Sequence, residues 1–202
     1  MAKTWSDFYP LLAPHVPGCP DVTMDTYLAS TAADFFARTH VWRAAIDNII
    51  IVPNVSEYDL SGDAVIEDII SASIDTDAFE QTDVRLIPQK DRTRTGKPQK
   101  FWMVEDTIIS VWPIPEERHT VKLTAVLKPS RTATSVPDWI YETWADALVD
   151  GTVARLAHIP NKEWTSFDLY AFHKSRYERA IHNAKTRDWQ GVDKTVMQRP
   201  FA

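Results

Sequence analysis

Apolar and polar residues follow a helical period at both ends of this chain and a strand period in its middle. Residues 4–14, TWSDFYPLLAP, place Trp5, Phe8 and Leu12 on one side of a short first helix. HVPGCP then turns the chain twice with prolines. From Asp21, read as a cap, DVTMDTYLASTAADFFARTHVW predicts a helix through Trp42, with Leu28, Ala32, Phe35, Thr39 and Trp42 recurring at helical spacing. From Ile49 the period shortens: NIIIVP, SEYDL and AVIEDIISASID are β-rich and bounded by proline or SGD. KFWMVEDTIISVWPIPEERHTVKLTAVLKP predicts three strands with turns at Glu105-Asp106 and Glu116-Glu117. In the last strand Val121, Leu123, Ala125 and Leu127 alternate with Lys122, Thr124, Val126 and Lys128, which buries one face.

The helical period returns behind Pro137, with Asp138 as the capping candidate. Ile140, Trp144, Leu148, then Gly151 or Thr152, Arg155 or Leu156, and Ile159 mark one side of a helix that IPNK ends. A second helix carries Phe167, Tyr170, Tyr177, Ile181 and Ala184 along one stripe. The last segment, RDWQGVDKTVMQRPFA, has no sustained period and reads as an arm anchored by Trp189, Val196, Met197 and Phe201. These patterns predict an α+β fold: a helical bundle formed by the N- and C-terminal helices, with an inserted small antiparallel β-sheet and an extended C-terminal arm. The divisions are residues 1–48 for the N-terminal helices, 49–130 for the β-subdomain, 131–187 for the helical hairpin and 188–202 for the arm.

Composition narrows the picture without changing it. A chain of 202 residues buries roughly 70% of its unfolded surface and needs no disulfide or metal staple to fold. Cys19 is the single cysteine, which fits a reducing compartment. The N-terminus lacks the charged and apolar regions of a signal peptide, and no stretch is apolar enough for a membrane span, so a soluble protein is expected. A net charge of −6 argues against indiscriminate nucleic-acid binding. Thirteen prolines against five glycines imply stiff corners. Eight tryptophans suggest that some sit at contacts between chains.

Motifs for chemistry are missing. RTGKP has Asp91 where a phosphate loop needs glycine and Pro98 where it needs serine or threonine. DTDAFEQTD alternates Asp75 and Asp77 as a calcium loop does, but holds Glu80 at the turn glycine and Leu86 at the bidentate glutamate. The histidines show no metal-ligand pairing, and no nucleophile motif is present. No catalytic, cofactor or metal residues are therefore assigned, and no enzymatic activity is expected.

One charged run stands out in this acidic chain. QKDRTRTGKPQK carries Lys90, Arg92, Arg94, Lys97 and Lys100 against Asp91 alone. It is either a solvated tip joining two strands or a projecting loop that meets phosphates or an acidic protein surface.

Gly151 costs a helix about 1 kcal/mol relative to alanine, a cost that makes sense where another backbone comes close. His158, at the end of the same helix, is placed to bond terminal carbonyls and complement the dipole rather than to bind metal. Pro160 and Trp164 would set the corner angle, so Trp144, Gly151, Leu156, Pro160 and Trp164 are the packing residues of the hairpin.

The hairpin also carries a likeness. A proline-aspartate-led helix with small residues in its middle passes through a leucine-containing turn and a proline–lysine–tryptophan corner into an aromatic helix. Its residues are Pro137, Asp138, Tyr141, Ala147, Gly151, Ala154, Leu156, Pro160, Lys162, Trp164, Tyr170, Phe172 and Ala180. At the other end, LAPHVPGCPDVTMDTYLASTAADFFARTHVW joins a proline-rich lead and a VPGCP turn to a helix ending in paired aromatics. Together these resemble the head-to-tail adaptor (connector) proteins of tailed bacteriophages; the central strands match only in kind.

The resemblance implies a structural virion protein of the neck or tail, assembled in the bacterial host cytoplasm. It implies a homo-oligomeric ring, commonly of twelve copies in such phages, seated under the portal protein and above the next tail component, a nozzle or stopper. Double-stranded DNA would pass through the lumen without sequence specificity, and no cofactor or membrane is implied. The arm after Arg187, with Trp189, Val196, Met197, Arg199 and Phe201, would dock onto the portal. The alternative is a nucleic-acid-binding regulatory protein that uses the basic loop 90–100.

Overall fold

A computed structural model describes residues 2–60, 64–105, 107–189 and 197–198, with the backbone alone for 187–189 and 197–198. The chain divides into two compact units, one of Met1–Val41 with Lys128–Lys194 and one of Trp42–Leu127 with Thr195–Ala202.

The first unit begins with strand β1 (Ala2–Thr4), a single 3-10 turn (Trp5–Phe8) and the short helix α1 (Tyr9–Leu12). The Asp7 carboxylate accepts the Thr4 N–H at 2.8 Å, satisfying a donor that the turn leaves unpaired. Trp5, Phe8 and Leu12 are all buried, as their spacing predicts. Helix α2 spans Asp21–Thr39, with Pro20 as its cap; Asp21 occupies the first helical position, where its charge favours the dipole. His40 ends α2 in the left-handed conformation, φ 57°, its N–H bonded to the Phe36 carbonyl at 3.0 Å, so the helix stops before Trp42.

Helix α3 (Asp138–Ala157) is the centre of this unit. Between Ala147 and Ala157 every residue except Arg155 is buried, so this second half of the helix has no polar stripe, whereas Glu142, Thr143 and Asp146 in the first half are exposed. Helices α2 and α4 (Phe167–Trp189) both pack on it. On α4 the buried residues are His173, Tyr177, Ile181 and Ala184, whereas Phe167, expected on that stripe, is 76% exposed. Strand β10 (Ser135–Pro137), just before α3, pairs antiparallel with β1 in the register Ala2↔Pro137 and Thr4↔Ser135. The Trp5 indole N–H reinforces this join by donating to the Ala133 carbonyl at 2.6 Å.

The second unit holds β2 (Arg43–Ile51), β3 (Glu57–Asp59), β4 (Ala64–Ile74), β5 (Asp77–Ala78), β6 (Glu80–Gln81), β7 (Lys100–Glu105), β8 (Ile108–Trp112), β9 (His119–Pro129) and β11 (Met197–Gln198). They form a five-stranded sheet in the order β11-β2-β9-β4-β5 and a four-stranded sheet in the order β3-β8-β7-β6. Ala44↔Ala125, Ile46↔Leu123 and Ile49↔Val121 fix the β2–β9 register, with an irregularity between Ile46 and Ile49 where Asn48 adopts φ 63°. Val121, Leu123, Ala125 and Leu127 are buried as alternation predicts, but Val126 is buried as well, because the end of β9 is covered on both faces. In the other sheet Phe101 pairs with Val111, both buried.

The architecture is therefore not a helical bundle with one small inserted antiparallel sheet. Sheets of five, four and two strands occupy the described residues, and two of them contain a parallel pairing, β6–β7 and β11–β2. Strands of two or three residues are too short to express a period of two. The first strand of the larger sheet opens at Arg43, directly after a stretch whose apolar spacing continues that of α2. The expected C-terminal arm is also not wholly extended: α4 runs through Trp189, and Met197–Gln198 lie as a strand on β2. No helix among the described residues is long and apolar enough to cross a membrane.

Candidate functional site

Gly151 marks the tightest packing on α3. A Cβ there would stand 2.6 Å from the Thr31 Cγ2 of α2 and 2.7 Å from the Cδ2 and Cε2 of Tyr177 on α4. The glycine is thus used inside the protomer, and what approaches it is a methyl group and an aromatic ring rather than another backbone. Tyr177 cannot easily swing away. It is 5% exposed, and its hydroxyl donates to Asp34 Oδ2 at 2.8 Å. Burial, and then the Asp34 charge, raise its pKa well above the phenol's usual value, so it remains a donor. Asp34 also meets Arg155 of α3 at 3.0 Å, and Arg155 donates to Ser30 Oγ at 3.1 Å. Arg38 grips Glu178 of α4 through two bonds of 3.0 and 2.5 Å, which hold the Glu178 carboxyl below its ordinary value. Exposed ion pairs of this kind each add about 0–1 kcal/mol, so the apolar fit around Gly151 dominates.

A second polar cluster sits one residue earlier on α3. Asp150 is 5% exposed and His173 of α4 is 3% exposed. Asp150 Oδ1 meets His173 Nδ1 at 2.7 Å, and Oδ2 accepts from Arg176 Nε at 2.9 Å. His15, in the connection between α1 and α2, sets its ring against His173 with centroids 4.7 Å apart. This cluster is the main constellation that the sequence pattern did not reveal. The one available signal was His173 and Arg176 three positions apart, a spacing that places both on one face of α4. Among the described residues no group of three or more histidine, cysteine or acidic side chains could hold a metal ion.

The five expected hairpin residues do not gather at one point. Trp144 is buried against Phe35, with ring centroids 5.2 Å apart, and Leu156 is fully buried. Pro160 is exposed and Trp164 half-buried at the corner. The corner is tied by Thr165, whose hydroxyl donates to the Ile159 carbonyl at 2.5 Å and accepts the Lys162 N–H at 2.9 Å. The last carbonyls of α3 are taken by backbone, Leu156 by the Ile159 N–H and Ala157 by the Ser166 N–H. His158 instead lays its ring beside Tyr170 at 4.9 Å. Of the eight tryptophans, Trp5, Trp42 and Trp144 are buried and Trp102, Trp112, Trp139 and Trp164 half-buried; the Trp189 side chain lies outside the described residues.

The basic run is laid back on the protein rather than projecting. The Arg94 carbonyl accepts the Ile114 N–H at 2.9 Å, the Ile114 carbonyl accepts the Gly96 N–H at 2.9 Å, and the Trp112 indole donates to the Asp91 carbonyl at 2.8 Å. Gly96, at φ 148°, occupies backbone space that favours glycine. Lys97 is neutralised by Asp77 at 2.6 Å. Lys100 is not in the loop but half-buried on β7. Arg92 is exposed and reaches the Ile87 and Val84 carbonyls at 3.4 and 3.3 Å. Lys90, Arg92 and Arg94 therefore remain as exposed cations without an ion pair among the described residues.

Of the expected arm anchors, Val196, Arg199 and Phe201 lie outside the described residues. Trp189 is the last residue of α4, and the backbone of Met197 pairs with Ala44.

No curated protein matches the sequence. Residues 4–199, nearly the whole chain, match the family model described as SU10 adaptor protein. The match takes in both ends that resemble phage head-to-tail adaptors and the strands between them, and the chain accordingly belongs to the SU10 adaptor protein family.

Proposed function

We propose that this protein is a head-to-tail adaptor that forms a ring between portal and tail and lets double-stranded DNA pass through its lumen. The observation that carries the reading is the family match over residues 4–199. Membership makes the chain a phage structural adaptor of the virion neck, associated with other virion components. The ring, the portal contact and the DNA passage are the finer steps proposed here.

The packing around Gly151 supports the reading. A structural subunit must present the same surface in every copy, and three helices locked by a glycine contact and buried polar bonds form a stiff body. Residues 190–202 are assigned to portal docking. Lys90, Arg92 and Arg94 are assigned to a rim or lumen surface, where phosphate contacts are indifferent to base sequence. Repetition around a ring would turn three cations per copy into a collar.

Deletion of residues 190–202 leaves α4 intact and tests the assignment. The truncated protein, which loses the two-residue strand β11, should keep the helical far-ultraviolet signal of the full chain and fail to retain portal in a pull-down. Equal retention of portal by both proteins would count against the docking role. Strong DNA binding by the isolated protomer, weakening steeply with salt, would favour the nucleic-acid-binding alternative.

A further inference from the structure

We propose that His15, His173 and Asp150 form an acid-operated latch that holds residues 13–20 against the α3–α4 pair at neutral pH and releases them when the His15 imidazole is protonated. The latch joins three separate segments. Asp150 comes from the buried centre of α3, His173 from the inward face of α4, and His15 from the proline-rich turn between α1 and α2. The turn is docked by more than the histidine: Val16 is 1% exposed and Cys19 9%. At Gly18, which adopts φ 76°, a Cβ would stand only 3.0 Å from Glu163 Oε2.

The charge count explains why acid opens it. Asp150 supplies one negative charge, and Arg176 already balances it through Oδ2. His173 Nδ1 takes up the other oxygen, Oδ1, at 2.7 Å. A proton on His15 places a positive charge 4.7 Å from the His173 ring, beside a carboxylate whose charge Arg176 already balances. The groups facing His15 are therefore Asp150 from α3 and His173 and Arg176 from α4, and only Asp150 favours the protonated ring. Burial, followed by His173 and then Arg176 against the pull of Asp150, lowers the His15 pKa from 6.5. A base with a lowered folded pKa contributes fully above its unfolded value and loses that contribution as pH falls below it. The window of release thus opens beneath about pH 6.5 and continues downward.

Cys19, the single cysteine and itself part of the turn, serves as the reporter. Its labelling by 4,4′-dithiodipyridine is followed in the full-length protein between about pH 7.5 and about pH 5. Each rate is divided by that of the denatured chain at the same pH, which removes the thiolate fraction. Uptake of one proton on opening lowers protection by up to about tenfold per pH unit. The expected result is constant protection above about pH 7 and a progressive loss below about pH 6.5, bounded by about tenfold at pH 5.5 for one proton, with far-ultraviolet circular dichroism unchanged. His15→Phe keeps a ring without the charge and should flatten the profile; His15→Gln provides the same test without an aromatic ring. Protection that does not change with pH, that falls only together with the circular dichroism signal, or that falls equally in both His15 variants overturns the proposal.

Discussion

Replacing Gly151 by alanine separates helix propensity from packing. On an exposed helix the change would stabilise by about 1 kcal/mol. Here the new methyl must enter a space where Thr31 Cγ2 lies 2.6 Å away and two Tyr177 ring carbons 2.7 Å away, all well inside van der Waals contact. Neither neighbour is a free flexible end. Thr31 is fully buried on α2, and the Tyr177 ring is held by its bond to Asp34. Forcing a methylene-sized group into a filled core costs about 1–3 kcal/mol, and contacts this short belong to the upper half of that range, so a net loss of about 1–2 kcal/mol remains after the propensity gain. For a chain of this length that lowers the melting temperature by roughly 2–8 °C. Scanning calorimetry of G151A against wild type measures it. Adding T31S removes the nearest methyl and should recover part of the loss, with the Tyr177 contact still limiting. A melting temperature in G151A equal to or above wild type would show that the three helices are not locked at this point.

Asp150→Ala leaves His173 and Arg176 facing an empty position and should cost about 3 kcal/mol by urea unfolding, while Asp150→Asn retains an acceptor oxygen and should cost less. Glu178 and Asp75 are both held below their ordinary carboxyl values, Glu178 chiefly by its Arg38 hydrogen bond and Asp75 first by the Thr120 N–H and then by His119. Depressed carboxylates contribute stability above their unfolded values of 4.5 and 3.8 and lose it as pH falls through the folded ones, so E178Q should flatten the drop in urea midpoint between neutral and acid pH. K90E with R94E should leave the unfolding free energy in urea within about 0.5 kcal/mol of wild type, because both side chains are exposed. In an assembled ring the same pair should reduce the salt dependence of duplex DNA binding, by roughly one unit of slope for each phosphate that is no longer neutralised.

The parts of the fold that were legible are those with long periods and hard stops. Pro137 and the IPNK corner bracket α3 to within a residue or two, and the prolines of HVPGCP mark the turn before α2. The end of α2 was not legible, because a histidine in the left-handed region stops it and the apolar spacing continues past His40 to Trp42. The pairing of β1 with β10 joins positions more than a hundred residues apart through three-residue strands, which leave no pattern of their own. The stripe on α3, Ile140, Trp144, Leu148, Gly151 and Leu156, is buried as its spacing predicts, but the burial of the opposite side from Ala147 onward was not legible, and Asp150 in that stretch looks in sequence like any surface acid. Gly151 was visible as a packing residue, but its partners, Thr31 and Tyr177, follow only from the tertiary arrangement. The cations of the basic run could be counted from sequence, whereas the Asp77 partner of Lys97 and the placement of Lys100 on a strand could not.

The central claim is that copies of this chain join one another and the portal. Negative-stain electron microscopy of the purified protein mixed with portal rings tests it directly. The account predicts an additional ring of density on one face of each portal, present with the full chain and missing after deletion of residues 190–202. Portal particles identical with and without the protein, at concentrations well above those of the portal subunits, would contradict it.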